Sequence, residues 1–138
     1  MIDTVVIATD GSQSAARAVA FALDLARRFE AAVHALYVTE DDTDAEEGET
    51  ALERALTENE DAIESVRETS QVTTAVREGD PGDEICAYAH EHDADLVATG
   101  TRGRHGEYRF VLGSVAEAVV RNCSVPVLTV RQLESIET

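Results

Sequence analysis

Short apolar runs rich in β-branched residues alternate with stretches of helical periodicity from one end of this chain to the other, and few folds accept that pattern. The first run, "TVVIA" at residues 4–8, is apolar throughout, as a strand buried on both faces of a parallel sheet should be. "DGS" follows, with Ser12 placed to cap a helix that runs to about Glu30. Ala15, Val19, Ala22, Leu23, Leu25, Ala26 and Phe29 recur along that helix as one apolar stripe. "AAVHALYV", residues 31–38, is a second predicted strand. The acidic segment from Thr39, "TEDDTDAEEGE", reads as a solvated loop, and its spacing is not that of an EF-hand. Leu52, Leu56, Ile63 and Val66 restore helical periodicity. "QVTTAVRE", less apolar, predicts a third strand near a sheet edge. The next helix opens with Asp80, Pro81 and Gly82 and turns Ile85 and Ala89 inward. "ADLVAT" is the fourth strand. "SVAEAVVRN" is the fourth helix, with Arg121 near its negative end, and "VPVLTVR", from Val125 on to Arg131, is the fifth strand.

The order β-α-β-α-β-α-β-α-β implies a parallel sheet with helices on both faces, because parallel crossovers are bridged by helices and are right-handed. One domain over 1–138 suits the length. We expect a doubly wound five-stranded sheet of order 3-2-1-4-5, a Rossmann-like α/β fold. Ligands in such folds bind beyond the carboxyl ends of the strands, where the winding reverses. That places the loops after the first and fourth strands beside one crevice.

Composition narrows the chemistry. Asp and Glu number 28, Lys and Arg together 11, and all 11 are arginine, for a formal net charge of −17. A field of that sign disfavours nucleic acid and anionic membranes. It resembles the surface of proteins adapted to high salt, where the Debye length falls to about 3 Å near 1 M. Without lysine there is no Walker A loop and no Schiff-base chemistry. The start, "MIDTVVIATDGS", lacks the basic segment of a signal peptide, and no apolar run is long enough for a membrane span, so a soluble cytoplasmic protein is expected. Cys86 and Cys123, far apart and in no CxxC arrangement, are expected to be small buried thiols. His90 and His92 are read as surface histidines, not a zinc site.

One segment runs against the acidic background. "GTRGRHGEYRFVLGS", residues 100–114, holds Arg102, Arg104 and Arg109 beside the single acid Glu107, and four of the eight glycines. A strand-to-helix loop is usually about two to six residues, and long ordered loops tend to be functional. Gly100, Gly103 and Gly106 allow the backbone amides to curl around an anion. Gly113 and Ser114 open the next helix, whose free N–H groups favour phosphate. Charge-assisted bonds of this kind contribute about 1.5–3 kcal/mol each, so a few could hold a polyphosphate without lysine.

The spacing G-x2-G-x9-G-S, with "DGS" after the first strand and the terminal "VPVLTVR", resembles the universal stress protein family in its ATP-binding branch, over nearly the whole chain. The resemblance implies a regulatory, homodimeric protein that binds ATP or another adenine nucleotide with Mg2+. By its motif Gly100, Gly103, Gly113 and Ser114 hold the phosphates, followed by Val115. Ala8, Thr9 and Asp10 line the nucleotide, with Asp10 facing ribose or a phosphate-bound Mg2+. Val38 meets adenine through its backbone. Thr99 stands where the family often has an apolar residue, and Ala8 where proline is frequent. The arginines have two candidate roles: Arg102 or a neighbour reaches a phosphate, or all three offset local acidity. The resemblance also implies that the fifth strand pairs antiparallel with its copy across a dimer. An enzyme using Asp10 or His105 on a water is the competing reading, but no nucleophile–base pair is visible in the sequence.

Overall fold

In the computed structural model, which describes residues 1–41, 45–101 and 113–131, the elements run β1 (Thr4–Ala8), α1 (Gln13–Phe29), β2 (Ala32–Thr39), α2 (Ala45–Glu58), α3 (Glu60–Thr69), β3 (Val72–Glu78), α4 (Pro81–Glu91), β4 (Leu96–Gly100), α5 (Ser114–Asn122) and β5 (Val127–Val130). All strands are parallel, in the order β3-β2-β1-β4-β5. The expected winding and its reversal between β1 and β4 are therefore present.

Alternation along β1 sorts the core into two layers. Val5 and Ile7 face α1 and α3, joining Val19, Leu23, Ile63 and Val66. Val6 and Ala8 face α4 and α5, joining Ile85, Ala89 and Val119. On the first side, α2 covers the outer sheet through Ala51 and Leu52 against Ala35 and Tyr37. Its Gly48 is obligatory there, since a Cβ would stand 2.7 Å from the Tyr37 ring. No helix among the described residues is long and apolar enough to cross a membrane.

Three expectations need correction. The segment from Ala45 on is not loop but the first turn of α2, whose acids Glu46 and Glu47 suit the positive end of a helix. The single helix expected after it is two, because the chain breaks at Asn59, whose side-chain amide donates to Ala55 O at 2.8 Å. The described chain thus holds five helices, not four. Third, Cys86 and Cys123 are not free thiols. Right-handed crossovers lay α4 and α5 side by side on one face of the sheet, which brings the two Cα atoms to 5.1 Å, and the sulfurs are bonded. Phe29, placed in the apolar stripe of α1, is about half exposed because the helix ends there, with Glu30 left-handed at φ 56°.

At the amino ends of the strands, Asp95 Oδ2 accepts from the backbone N–H groups of Asp3 (2.8 Å) and Thr4 (3.1 Å), tying β4 to β1. Near this end His34 Nδ1 lies 2.7 Å from the Tyr88 hydroxyl, and the His92 ring stacks beside both. Arg77 sits 4.8 Å over the Tyr88 ring and pairs with Glu91 at 2.6 Å and Glu84 at 3.6 Å. Burial, and then the nearby His92 charge, push the His34 pKa below its ordinary value.

Candidate functional site

Among the described residues, the buried polar side chains are three threonines: Thr9, Thr39 and Thr99. Each stands at the carboxyl end of a central strand, just beyond β1, at the end of β2 and next to last in β4. Hydroxyls are costly to bury and are kept where something polar is to be met. Their internal bonds are long: Thr9 Oγ1 accepts from Gly11 N at 3.2 Å, Thr39 Oγ1 donates to Arg77 O at 3.4 Å, and Thr99 Oγ1 donates to Gly100 O at 3.3 Å.

The β1–α1 turn is built from its own short side chains. Asp10 Oδ1 accepts from Ser12 N at 2.9 Å, an Asx turn that bends the chain out of the sheet. Gly11 has φ 81°, a conformation that a side chain would strain. Ser12 caps α1, accepting from Ala15 N at 3.2 Å. Thr9 N donates to Leu36 O at 2.9 Å, so the turn starts flush against β2. From α2, Arg54 Nη2 donates to Gly11 O at 3.3 Å and brings a positive charge to the turn.

The β4–α5 junction is built differently. Gly100 is the last strand residue, in register with Val130. Thr101 N donates to Val130 O at 3.2 Å, and Thr101 O accepts from Gly113 N at 2.6 Å. That second bond returns the chain to the end of β4 and sets α5 there. Gly113 is the N-cap of α5, with φ −68° and ψ 167°, and supplies no side-chain cap. The first-turn amide of Ala116, three residues past the N-cap, thus lacks the oxygen that Ser12 gives Ala15 in α1, and a helix N-terminus in that state attracts anions.

The structure brings most of the sequence-derived residues together. Ala8, Thr9 and Asp10 end β1, Thr99 and Gly100 end the neighbouring β4, Val38 lies half-buried near the end of β2, and Gly113, Ser114 and Val115 begin α5. Arg102, Gly103, Arg104, His105, Gly106 and Arg109 lie outside the described residues. Sequence reasoning missed Thr39, read as the start of a loop, and Arg54, which no local pattern marks. Among the described residues no group of three His, Cys, Asp or Glu side chains gathers as a metal cage.

Known proteins resemble this chain in sequence and fold. The chain is 36% identical to universal stress protein MJ0531 of Methanocaldococcus jannaschii, covering 93% of this chain and 81% of the relative. It is 33% identical to a universal stress protein of Thermus aquaticus, over 95% of this chain and the full length of the other. A solved universal stress protein in complex with cAMP superposes with a TM-score of 0.72 at 27% identity, covering 96% of this chain and 98% of that one. The family model described as the universal stress protein family matches residues 1–131. The chain therefore belongs to the universal stress protein family.

Proposed function

We propose that this protein binds an adenine nucleotide, ATP with Mg2+ as the leading candidate, in the crevice between the carboxyl ends of β1 and β4. The observation that carries the reading is the entry of α5: a helix without a side-chain cap, tied to the end of β4 at the point where the sheet reverses. The relative solved with cAMP supports the ligand class. In this reading Gly100, Gly103, Gly113 and Ser114 hold phosphates and Val115 follows them. Ala8, Thr9, Asp10 and Thr99 line the sugar and base, and Val38 meets adenine. Asp10 is the protein's ligand to a Mg2+ that arrives with the phosphates. Arg102 reaches a phosphate from the loop, and we add Arg54 as a nearby positive charge. The nucleotide acts as a regulatory ligand in a stress response, since no base aligned with a nucleophile accompanies it among the described residues.

Mass spectrometry of small molecules released from protein purified at high salt tests this first, followed by calorimetry with ATP, ADP, AMP and cAMP. A bound or titratable adenine nucleotide is expected. Protein that carries none and whose melting ignores all four would refute the reading.

Two further properties belong to the same proposal. The protein forms a homodimer through the strand at 125–131, because β5 is an edge of the sheet and its Val127, Leu128 and Thr129 are only half-buried. Exposed Phe21 on α1 and Val120 on α5, the helices packed against β5, add apolar surface. Sedimentation at high salt should give twice the chain mass; a monomer would reject this. The protein is cytoplasmic and halophilic, its net charge of −17 tolerated by screening. Desalting should loosen the fold, and unchanged circular dichroism in low salt would count against that.

A further inference from the structure

Three successive turns of α4 meet α5 and its exit in three different ways. At Gly82 a Cβ would stand 2.8 Å from the Ala118 Cβ, so the helices touch backbone to side chain. One turn on, Cys86 is bonded to Cys123. One turn further, His90 Nε2 lies 2.7 Å from Ser124 Oγ. Positions 82, 86 and 90 share one helix face by their spacing of four.

Apart from this seam α5 is thinly held. It has nine residues, of which Ala116 and Val119 are buried. Burial of two such small side chains anchors a helix weakly. The covalent tie sits at its carboxyl end, opposite the end that enters the crevice. Cys86 is buried within α4, whereas Cys123, the residue after α5, is half-buried and is the sulfur a reagent would meet first.

We propose that Cys86–Cys123 is a reversible thiol–disulfide site, opened by a dithiol reductant, and that its opening loosens α5. Disulfides inside cells are commonly transient and redox-sensing, so this rests on the cytoplasmic placement proposed above. Its consequence for ligand binding rests on the nucleotide reading. A reductant thiolate attacks Cys123 Sγ, the Cys86–Cys123 bond breaks, and Cys86 leaves as a thiolate that takes up a proton. The reductant's second thiolate then displaces Cys123, which is also protonated. The protein gains two electrons and two protons, and the dithiol ends as its own disulfide.

The full chain, at high salt, is equilibrated in mixtures of reduced and oxidised dithiothreitol. Its thiols are trapped with a maleimide, and amide hydrogen exchange is read in parallel. We expect both thiols to appear together while circular dichroism remains that of the folded protein, and to vanish on reoxidation. Amides of α5 should exchange roughly tenfold faster in the reduced form, with α1 unchanged. Affinity for ATP should fall by about fivefold or more on reduction. Cys86→Ala/Cys123→Ala should behave as the reduced form in every mixture. Where that variant is poorly folded, the reduced natural chain serves instead. Thiols that appear only on unfolding would make the bond a fixed staple and overturn the proposal, as would α5 exchange that ignores the redox state. If no nucleotide binds either form, the functional reading falls, while the α5 exchange rates still decide this inference.

Discussion

The two strand-to-helix junctions that meet at the crevice solve the same problem in opposite ways. After β1 the chain satisfies its own helix: Asp10 holds the turn, Gly11 supplies the left-handed residue, and Ser12 caps α1. After β4 the helix is entered through Gly113, which has no side chain to offer. The first junction caps its own helix, with Arg54 of α2 on the Gly11 carbonyl, and forms one wall of the crevice. The second leaves its helix entry without a side-chain cap. A helix end that the protein does not cap itself is a better guide to a binding role than a glycine count.

Substitutions can break this contrast. The largest effect is expected from Gly113→Val. Its φ of −68° accepts a branched residue, so the fold should survive, while the side chain fills the space before α5. Loss of two charge-assisted bonds predicts a fall in ATP affinity of about 100-fold or more, read by calorimetry. Gly113→Asp is the sharper version, because it gives α5 the kind of cap that α1 has. Stability should rise by a few tenths of a kcal/mol or hold level in urea unfolding, while ATP binding is lost to the new carboxylate. A variant that binds ATP as before would place the phosphates elsewhere.

On the other side, Gly11→Ala forces a side chain into φ 81° and should cost about 1–2 kcal/mol of stability. Ser12→Ala should cost about 1 kcal/mol through the lost cap, with ATP affinity changed far less than by either Gly113 variant. If Ser12→Ala instead abolished binding at full stability, both helix entries would be ligand-directed and the contrast would fail.

The smallest effect lies far from both. His34 has its pKa lowered by burial and by His92, so the unfolded chain takes up its proton first as pH falls. Stability from this group is complete above about pH 6.5 and declines as pH drops through the window between that value and the lower folded pKa. Tyr88 and His92 lie against its ring, and Arg77, paired with Glu91, sits over Tyr88. His34→Gln should flatten part of the acid slope of the melting temperature without touching ATP affinity.

The fold was legible in the sequence because each central strand is a continuous apolar run, and such runs suit only strands covered on both faces. The break at Asn59 was hidden, since Leu52, Leu56, Ile63 and Val66 keep phase as they would along one helix. The disulfide was hidden for a different reason. Its cysteines are 37 residues apart, and nothing local announces that two crossover helices will lie side by side. Of the candidate site, the glycines and Ser114 around the α5 entry were proposed from their spacing, and Ala8, Thr9, Asp10 and Val38 from the family resemblance. Thr39 and Arg54 were not, because what recruits them is tertiary: the register of β2 and the packing of α2 over the β1 turn.

The tie between Thr4 and Asp95 also sets a timetable. It joins positions 91 apart, and the neighbouring β4 completes the crevice only beyond them. On a ribosome, where synthesis proceeds at about 5–20 residues per second, β1 waits for its second neighbour until the residues beyond Asp95 have been made. A nascent chain that ends before β4 has no crevice between β1 and β4.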